Sequence, residues 1–116
     1  MLKTQKWEPD THPGYELHTE WQYGEGEATF VRCFQVLRNG VEVAEPDAVY
    51  SLILSENQTK NRALAALQAV LPDIAPAWVF GEADGVINMT LPGATASEML
   101  IAQAALAEFG GAVILA

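Results

Sequence analysis

The segment YELHTEWQY, residues 15–23, has the most regular pattern in the sequence. Mostly aromatic or apolar side chains alternate in it with charged or polar ones, without a break. A period of two is typical of a strand with one buried face. One face would carry Tyr15, Leu17, Thr19, Trp21 and Tyr23, and the other Glu16, His18, Glu20 and Gln22. The turn GEGE and the β-forming segment ATFVRCFQVL follow, so we predict an antiparallel hairpin with its aromatic face inward.

The segments on either side of this hairpin are less regular. Pro9 and the pair Pro13-Gly14 are breakers, so residues 1–14 are predicted to form an irregular N-terminal arm. After the hairpin, Asn39-Gly40 is a favoured turn dipeptide. The following VEV is either a short third strand or part of a loop, and the sequence favours neither.

Two helices are predicted farther along the chain. Pro46 and Asp47 are good helix-start residues, and apolar spacing favours one helix over residues 47–71. The alternative is two helices with a break near residue 55, since Ser55 and Gln58 could form a capping box. Between the helices, AWVF and VINMTL predict a second hairpin that turns at Asp84-Gly85. Thr95 and Glu98 match a capping box ahead of the second helix, and AVILA predicts a last strand.

These elements predict one α+β domain over residues 1–116. The order is ββαββαβ, and the architecture is a two-layer sandwich. Its sheet would be mostly antiparallel, with about four to six strands and both helices on one face.

Charge limits the classes of partner. Fifteen acidic residues against six basic ones give a net charge of −9, which argues against binding to nucleic acid or to an anionic membrane. The same charge is compatible with a basic protein partner. No apolar run approaches the ~20 residues that span a bilayer, and no signal peptide is evident, so a cytoplasmic protein is expected.

No catalytic, cofactor or metal site is predicted. His12 and His18 lie near Asp10, Glu16 and Glu20, but no second cluster of ligands exists elsewhere in the sequence. The single cysteine, Cys33, lies among apolar residues, which favours a buried thiol over a reactive nucleophile. Nucleophile elbows, phosphate-binding loops and dinucleotide fingerprints are absent, so an enzyme is not expected.

The residues predicted to contact a protein partner lie in two segments. Trp7 would either fold back on its own domain or dock on a neighbour. The polar segment SENQTKNR could be a solvated helix face or a contact surface, and its candidates are Asn57, Lys60, Asn61 and Arg62.

Several segments together resemble a group of small, functionally uncharacterised proteins of tailed bacteriophages. They are WEPDT, YELHTEW, SENQTKNRALAALQAVLP and the late FG before the terminal strand. Members of that group carry cysteines just after PDT and a further Cys/His set after the second strand, which suggests a small metal knot. This chain has HPGY after PDT and no later set, so the resemblance implies a setting without a metal site or an activity.

Three functions follow as hypotheses. The first is a non-enzymatic phage or prophage protein that acts through protein–protein contacts, as a minor structural or assembly component of a virion. It would work in the host cell and could be incorporated in the particle, through self-association as a homo-oligomer or within a larger assembly. The second is an acidic inhibitor or immunity-type protein that binds a basic host or toxin protein. The third, a small enzyme, would need a pocket near Tyr15, His18 and Trp21.

Overall fold

A computed structural model describes all 116 residues, Met1–Ala116. Two helices and seven strands give an α+β fold. In chain order the elements are β1 Leu2–Trp7, β2 Tyr15–Gly24, β3 Glu27–Arg38, β4 Val41–Val43, α1 Pro46–Val70, β5 Ala77–Gly81, β6 Val86–Thr90, α2 Ala96–Leu106 and β7 Val113–Leu115. A 3₁₀ segment, Ala107–Ala112, joins α2 to β7. No helix has the length and apolar character that crossing a membrane requires.

The chain divides into two compact units, an N-terminal unit Met1–Ser55 and a C-terminal unit Glu56–Ala116. The N-terminal unit holds a four-stranded antiparallel sheet in the order β1-β2-β3-β4. The C-terminal unit holds a three-stranded sheet in the order β5-β6-β7, in which β7 runs parallel to β6.

In the N-terminal unit the alternation of β2 sets the inner face, as predicted. Leu17 is opposite Val36, and Thr19 is opposite Cys33. Partners across an antiparallel pair share a face, and all four of these residues are at most 3% exposed. With Tyr50 and Ile53 of α1, the three apolar members of this set form the core of the unit.

Two irregularities interrupt the pairing of β2 with β3. His18 pairs with Gln35 and Thr19 with Cys33, so Phe34 is an extra residue. The same happens at Val31, between the pairs Glu20–Arg32 and Trp21–Phe30. Each bulge shifts the alternation of β3 by one residue. The bulge at Phe34 therefore turns Cys33 inward and leaves Phe34 on the outer face.

The core of the C-terminal unit lies between its sheet and two helical segments. Ile87 and Met89 of β6 are buried against Ala63 and Leu67 of α1 and against Ala102 and Leu106 of α2. The capping box that starts α2 is confirmed. The Glu98 amide donates to Thr95 Oγ1 at 3.2 Å, and the Thr95 amide donates to Glu98 Oε1 at 2.9 Å.

The α+β class is confirmed, and the four strands of the first sheet agree with the predicted number. The segment predicted over residues 47–71 is one helix, Pro46–Val70, rather than two, and VEV is strand β4. The prediction of a single sheet is wrong, because the two hairpins belong to separate sheets. β1 and β4 flank the first hairpin, whereas β7 joins the second.

The prediction that residues 1–14 are irregular is also wrong. Leu2–Trp7 forms β1, which pairs with β2 from Leu2–Gln22 to Trp7–Leu17 without interruption. The breakers act only on residues 8–14, which form the loop between the two strands. The prediction that residues 1–116 form one domain stays a prediction.

Candidate protein-contact surface

β3 leaves much of one edge without a strand partner. β4 pairs with only Val36, Leu37 and Arg38. The preceding residues, 27–35, therefore have a strand on one side only, which is β2. Unpaired backbone N–H and C=O groups at such an edge can bind another extended chain.

Three large apolar side chains are exposed on this part of β3. Phe30 and Phe34 are each 37% exposed, and Val31 is 46% exposed. Single exposed apolar side chains are ordinary on protein surfaces, but these three lie within five consecutive residues. Such a cluster is typical of an interaction site. We call residues 27–34, with their free edge, the β3 surface.

A row of aromatic rings supports the β3 surface from the inner side. Phe30 stacks on Tyr50 with ring centroids 4.8 Å apart, and Trp21 meets Phe30 edge-on at 5.4 Å. Tyr50 in turn meets Trp7 edge-on at 6.1 Å. Burial raises the pKa of the Tyr50 hydroxyl, and the neighbouring Cys33 raises it further. Phe30 therefore packs against both Trp21 and Tyr50, although it is 37% exposed.

On the outer side, Phe34 lies among polar groups. The Arg32 guanidinium is 5.8 Å from the centroid of the Phe34 ring, and the His18 ring is 6.1 Å from it. Arg32 Nε is also 3.5 Å from Glu20 Oε1. The exposed aromatic ring is thus bordered by one cation and one carboxylate, an arrangement common at the rims of protein interfaces.

Asp47, in the first turn of α1, binds one backbone group at the open edge of β3. Its Oδ1 accepts a hydrogen bond from the Cys33 amide at 2.8 Å. Cys33 itself is 1% exposed, as the buried-thiol prediction requires. Burial raises the pKa of the Cys33 thiol, and the Asp47 carboxylate adds to this effect, so the nucleophilic thiolate is disfavoured.

The five predicted contact residues do not form one exposed surface. Trp7 belongs to the N-terminal unit and packs on Tyr50, which supports the alternative that it folds back on its own unit. Asn61 and Arg62 are exposed, but the Arg62 guanidinium lies 5.4 Å from the Phe109 ring.

The prediction that Asn57 and Lys60 belong to an exposed contact surface is corrected, because these residues are only 9% and 4% exposed. Asn57 Oδ1 accepts a hydrogen bond from Asn61 Nδ2 at 3.2 Å. The Lys60 ammonium lies 5.0 Å from the centroid of the Trp78 ring. A cation–π contact and a buried alkyl stem allow a lysine to point inward, so these two side chains are not available as an exposed contact surface.

The two histidines have different surroundings. His12 is 5% exposed, and its Nδ1 lies 2.8 Å from Thr11 Oγ1. His18 Nε2 lies 3.5 Å from Glu16 Oε2, within ion-pair range but without hydrogen-bond geometry. No group of three or more His, Cys, Asp and Glu residues is placed to hold a metal ion.

A cleft of about 390 Å³ lies in the C-terminal unit, within the usual range for ligand pockets. It is lined by Leu64, Gln68, Pro72, Asp73, Ile74, Ala75 and Pro76. Asp73 is its only titratable residue, so the cleft holds no pair of groups for acid–base chemistry.

Comparison with family models, with curated proteins and with solved structures gives no match. Any function is therefore to be inferred from the residues themselves. The β3 surface was missed in the sequence because a single alternating strand was expected there. The sequence did hold one signal. In FVRCF, residues 30–34, apolar side chains stand at both even and odd positions, so a regular strand would place them on both of its faces.

Proposed function

We propose that this chain is a non-enzymatic protein that acts by binding protein through its β3 surface, most concretely as a minor structural or assembly component of a virion. The observation that carries the proposal is the β3 surface itself. Phe30, Val31 and Phe34 are exposed beside an edge of β3 that has no strand partner. Strand addition supplies backbone hydrogen bonds, and the apolar side chains supply area to bury.

The phage setting is supported only by the resemblance of WEPDT, YELHTEW and the middle segment to small tailed-phage proteins. The proposed place of action is the cytoplasm of the host cell and, after assembly, the particle. A net charge of −9 favours a protein partner over nucleic acid or an anionic membrane.

The test is a pair of matched double variants in the full chain. Val31→Ser with Phe34→Ser removes two of the three exposed apolar side chains of the β3 surface and leaves Phe30 in its contact with Tyr50. The control, Val79→Ser with Ile114→Ser, alters residues that are 69% and 48% exposed in the C-terminal unit. We expect the first variant to lose association with itself or with particle proteins, and the control to keep it. Equal association of both variants would overturn the proposal.

A second candidate is the acidic inhibitor that binds a basic protein. One observation favours it: Lys60 is only 4% exposed, so one of the six basic residues does not face the solvent. Such a binder would be a monomer when free, and its affinity would fall steeply as salt rises.

A further inference from the structure

We infer that the partner of β3 is β3 of a second copy of this chain, paired antiparallel across a two-fold axis that passes through Thr29. This inference rests on the proposed function, because it names the occupant of the same surface. A two-fold interface brings one patch against itself, so the patch must be complementary to its own image.

Backbone geometry determines which groups face outward. Glu25 and Gly26 form the two-residue turn between β2 and β3, and Gly24 pairs with Glu27. Backbone groups alternate sides along an antiparallel strand, so Ala28 and Phe30 direct their N–H and C=O groups away from β2. Cys33, whose amide reaches Asp47, also faces outward, beyond the bulge at Val31.

These outward groups allow a specific register. With Thr29 on the axis, Ala28 of each copy lies opposite Phe30 of the other, and each such pair exchanges backbone hydrogen bonds. A small side chain then faces a large one. Thr29 meets its own copy, and threonine pairs are favourable across strands.

Charge favours the same register. Glu27 would lie opposite Val31 of the second copy, one residue from Arg32 of that copy. Glu27 and Arg32 alternate onto the same outer face, as their partners Gly24 and Glu20 do. The register therefore brings an acid of each copy near a base of the other, and residues 28–31 between them carry no charge. Two copies that each carry −9 can meet here without burying like charges.

The other edge strand of this sheet, β1, carries lysines that oppose pairing with another chain, whereas residues 27–31 of β3 do not. β1 is also an edge strand, but it carries Lys3 and Lys6 and is regular along its length. Lysine on an edge strand is a common defence against pairing with another chain. Residues 27–31 contain neither lysine nor proline. The bulge at Val31 and the bond from Cys33 to Asp47 limit the paired segment to residues 27–31.

Such a short segment gives a small interface. Interfaces at the low end of the size range belong to weak and transient complexes. We therefore expect a dimer with a dissociation constant on the order of micromolar.

The experiment places charge on the proposed axis. Thr29 is exposed, so we expect Thr29→Lys and Thr29→Glu to keep the fold. Each variant alone would place like charges opposite each other and weaken the dimer roughly tenfold. An equimolar mixture would place Lys opposite Glu and restore dimers that contain one chain of each kind.

The controls are Thr4→Lys and Thr4→Glu, the same changes at an exposed threonine in the middle of β1. Sedimentation velocity across a dilution series measures all of these proteins. The inference is supported if the dimer is unaffected by the Thr4 changes, is lost with either Thr29 variant and is restored in the mixture. Monomers at every concentration, or dimers lost only with the Thr4 variants, overturn it. If the wild type is a monomer but Val31→Ser with Phe34→Ser still loses a particle protein, only the inference fails and the proposed function stands.

Discussion

Tyr50 of α1 stacks on Phe30 of β3, with ring centroids 4.8 Å apart and ring planes 13° from parallel. This contact links the helix to the strand that carries the exposed apolar side chains. Tyr50 is 8% exposed, whereas Phe30 is 37% exposed, so a buried ring supports a ring that faces solvent. The β3 surface is therefore packed against the core of the N-terminal unit through this ring contact.

Removal of the supporting ring should destabilise the chain. We expect Tyr50→Ala to lower the free energy of unfolding by about 3 kcal/mol, because a large buried aromatic side chain is lost. Tyr50→Phe keeps the stacked ring and should change it by less than about 1 kcal/mol. Urea denaturation with far-UV circular dichroism measures both. Equal losses for the two variants would show that the ring contact is not what stabilises the helix against β3.

Asp47 should contribute through one hydrogen bond and its position in the first turn of α1. Asp47→Ala removes the acceptor of the Cys33 amide and an acid near the helix N-terminus. The expected loss is about 1–2 kcal/mol. Asp73→Ala, at an exposed position, is the matched control and should change stability by less than about 0.5 kcal/mol. A similar loss in both variants would contradict this role for Asp47.

The capping box of α2 provides a third prediction. Thr95→Ala removes the acceptor of the Glu98 amide, and we expect a loss of about 1 kcal/mol. Ser97→Ala lies in the same helical turn, makes no cap and should be close to neutral. Thermal unfolding of the two variants, compared at equal protein concentration, is the measurement. A neutral Thr95→Ala would show that the cap does not limit the stability of α2.

Glu56 should make stability depend on pH. Burial raises the pKa of its carboxyl above the usual value, and the nearby Glu82 raises it further. A group whose pKa is raised on folding contributes its full stability below the unfolded pKa and loses that contribution as pH rises through the folded pKa. The free energy of unfolding should therefore fall with increasing pH in this mildly acidic window. Glu56→Gln should flatten that fall, and Glu82→Gln should reduce it in part. An unchanged pH profile in Glu56→Gln would assign the dependence to other groups.

Local patterns predicted much of the fold. Alternation in YELHTEWQY gave the two faces of β2, and the Thr95–Glu98 spacing gave the start of α2. Both signals lie in neighbouring residues, so they can be seen without the tertiary structure.

The candidate surface could not be predicted in the same way. β1 joins the sheet through backbone hydrogen bonds, which leave little trace in side-chain pattern. The bulges of β3 arise from its pairing with β2, and they decide that Cys33 rather than Phe34 points inward. Lys60 is buried because it meets Trp78, a contact between residues distant in sequence.

The most direct test of self-association through β3 is the mass of the native chain by light scattering, measured over a dilution series at low and high salt. We predict a monomer at low concentration and a dimer at high concentration. The dimer should persist at high salt, because backbone pairing and apolar contacts are not screened. A monomer at every concentration and salt would contradict self-association through β3.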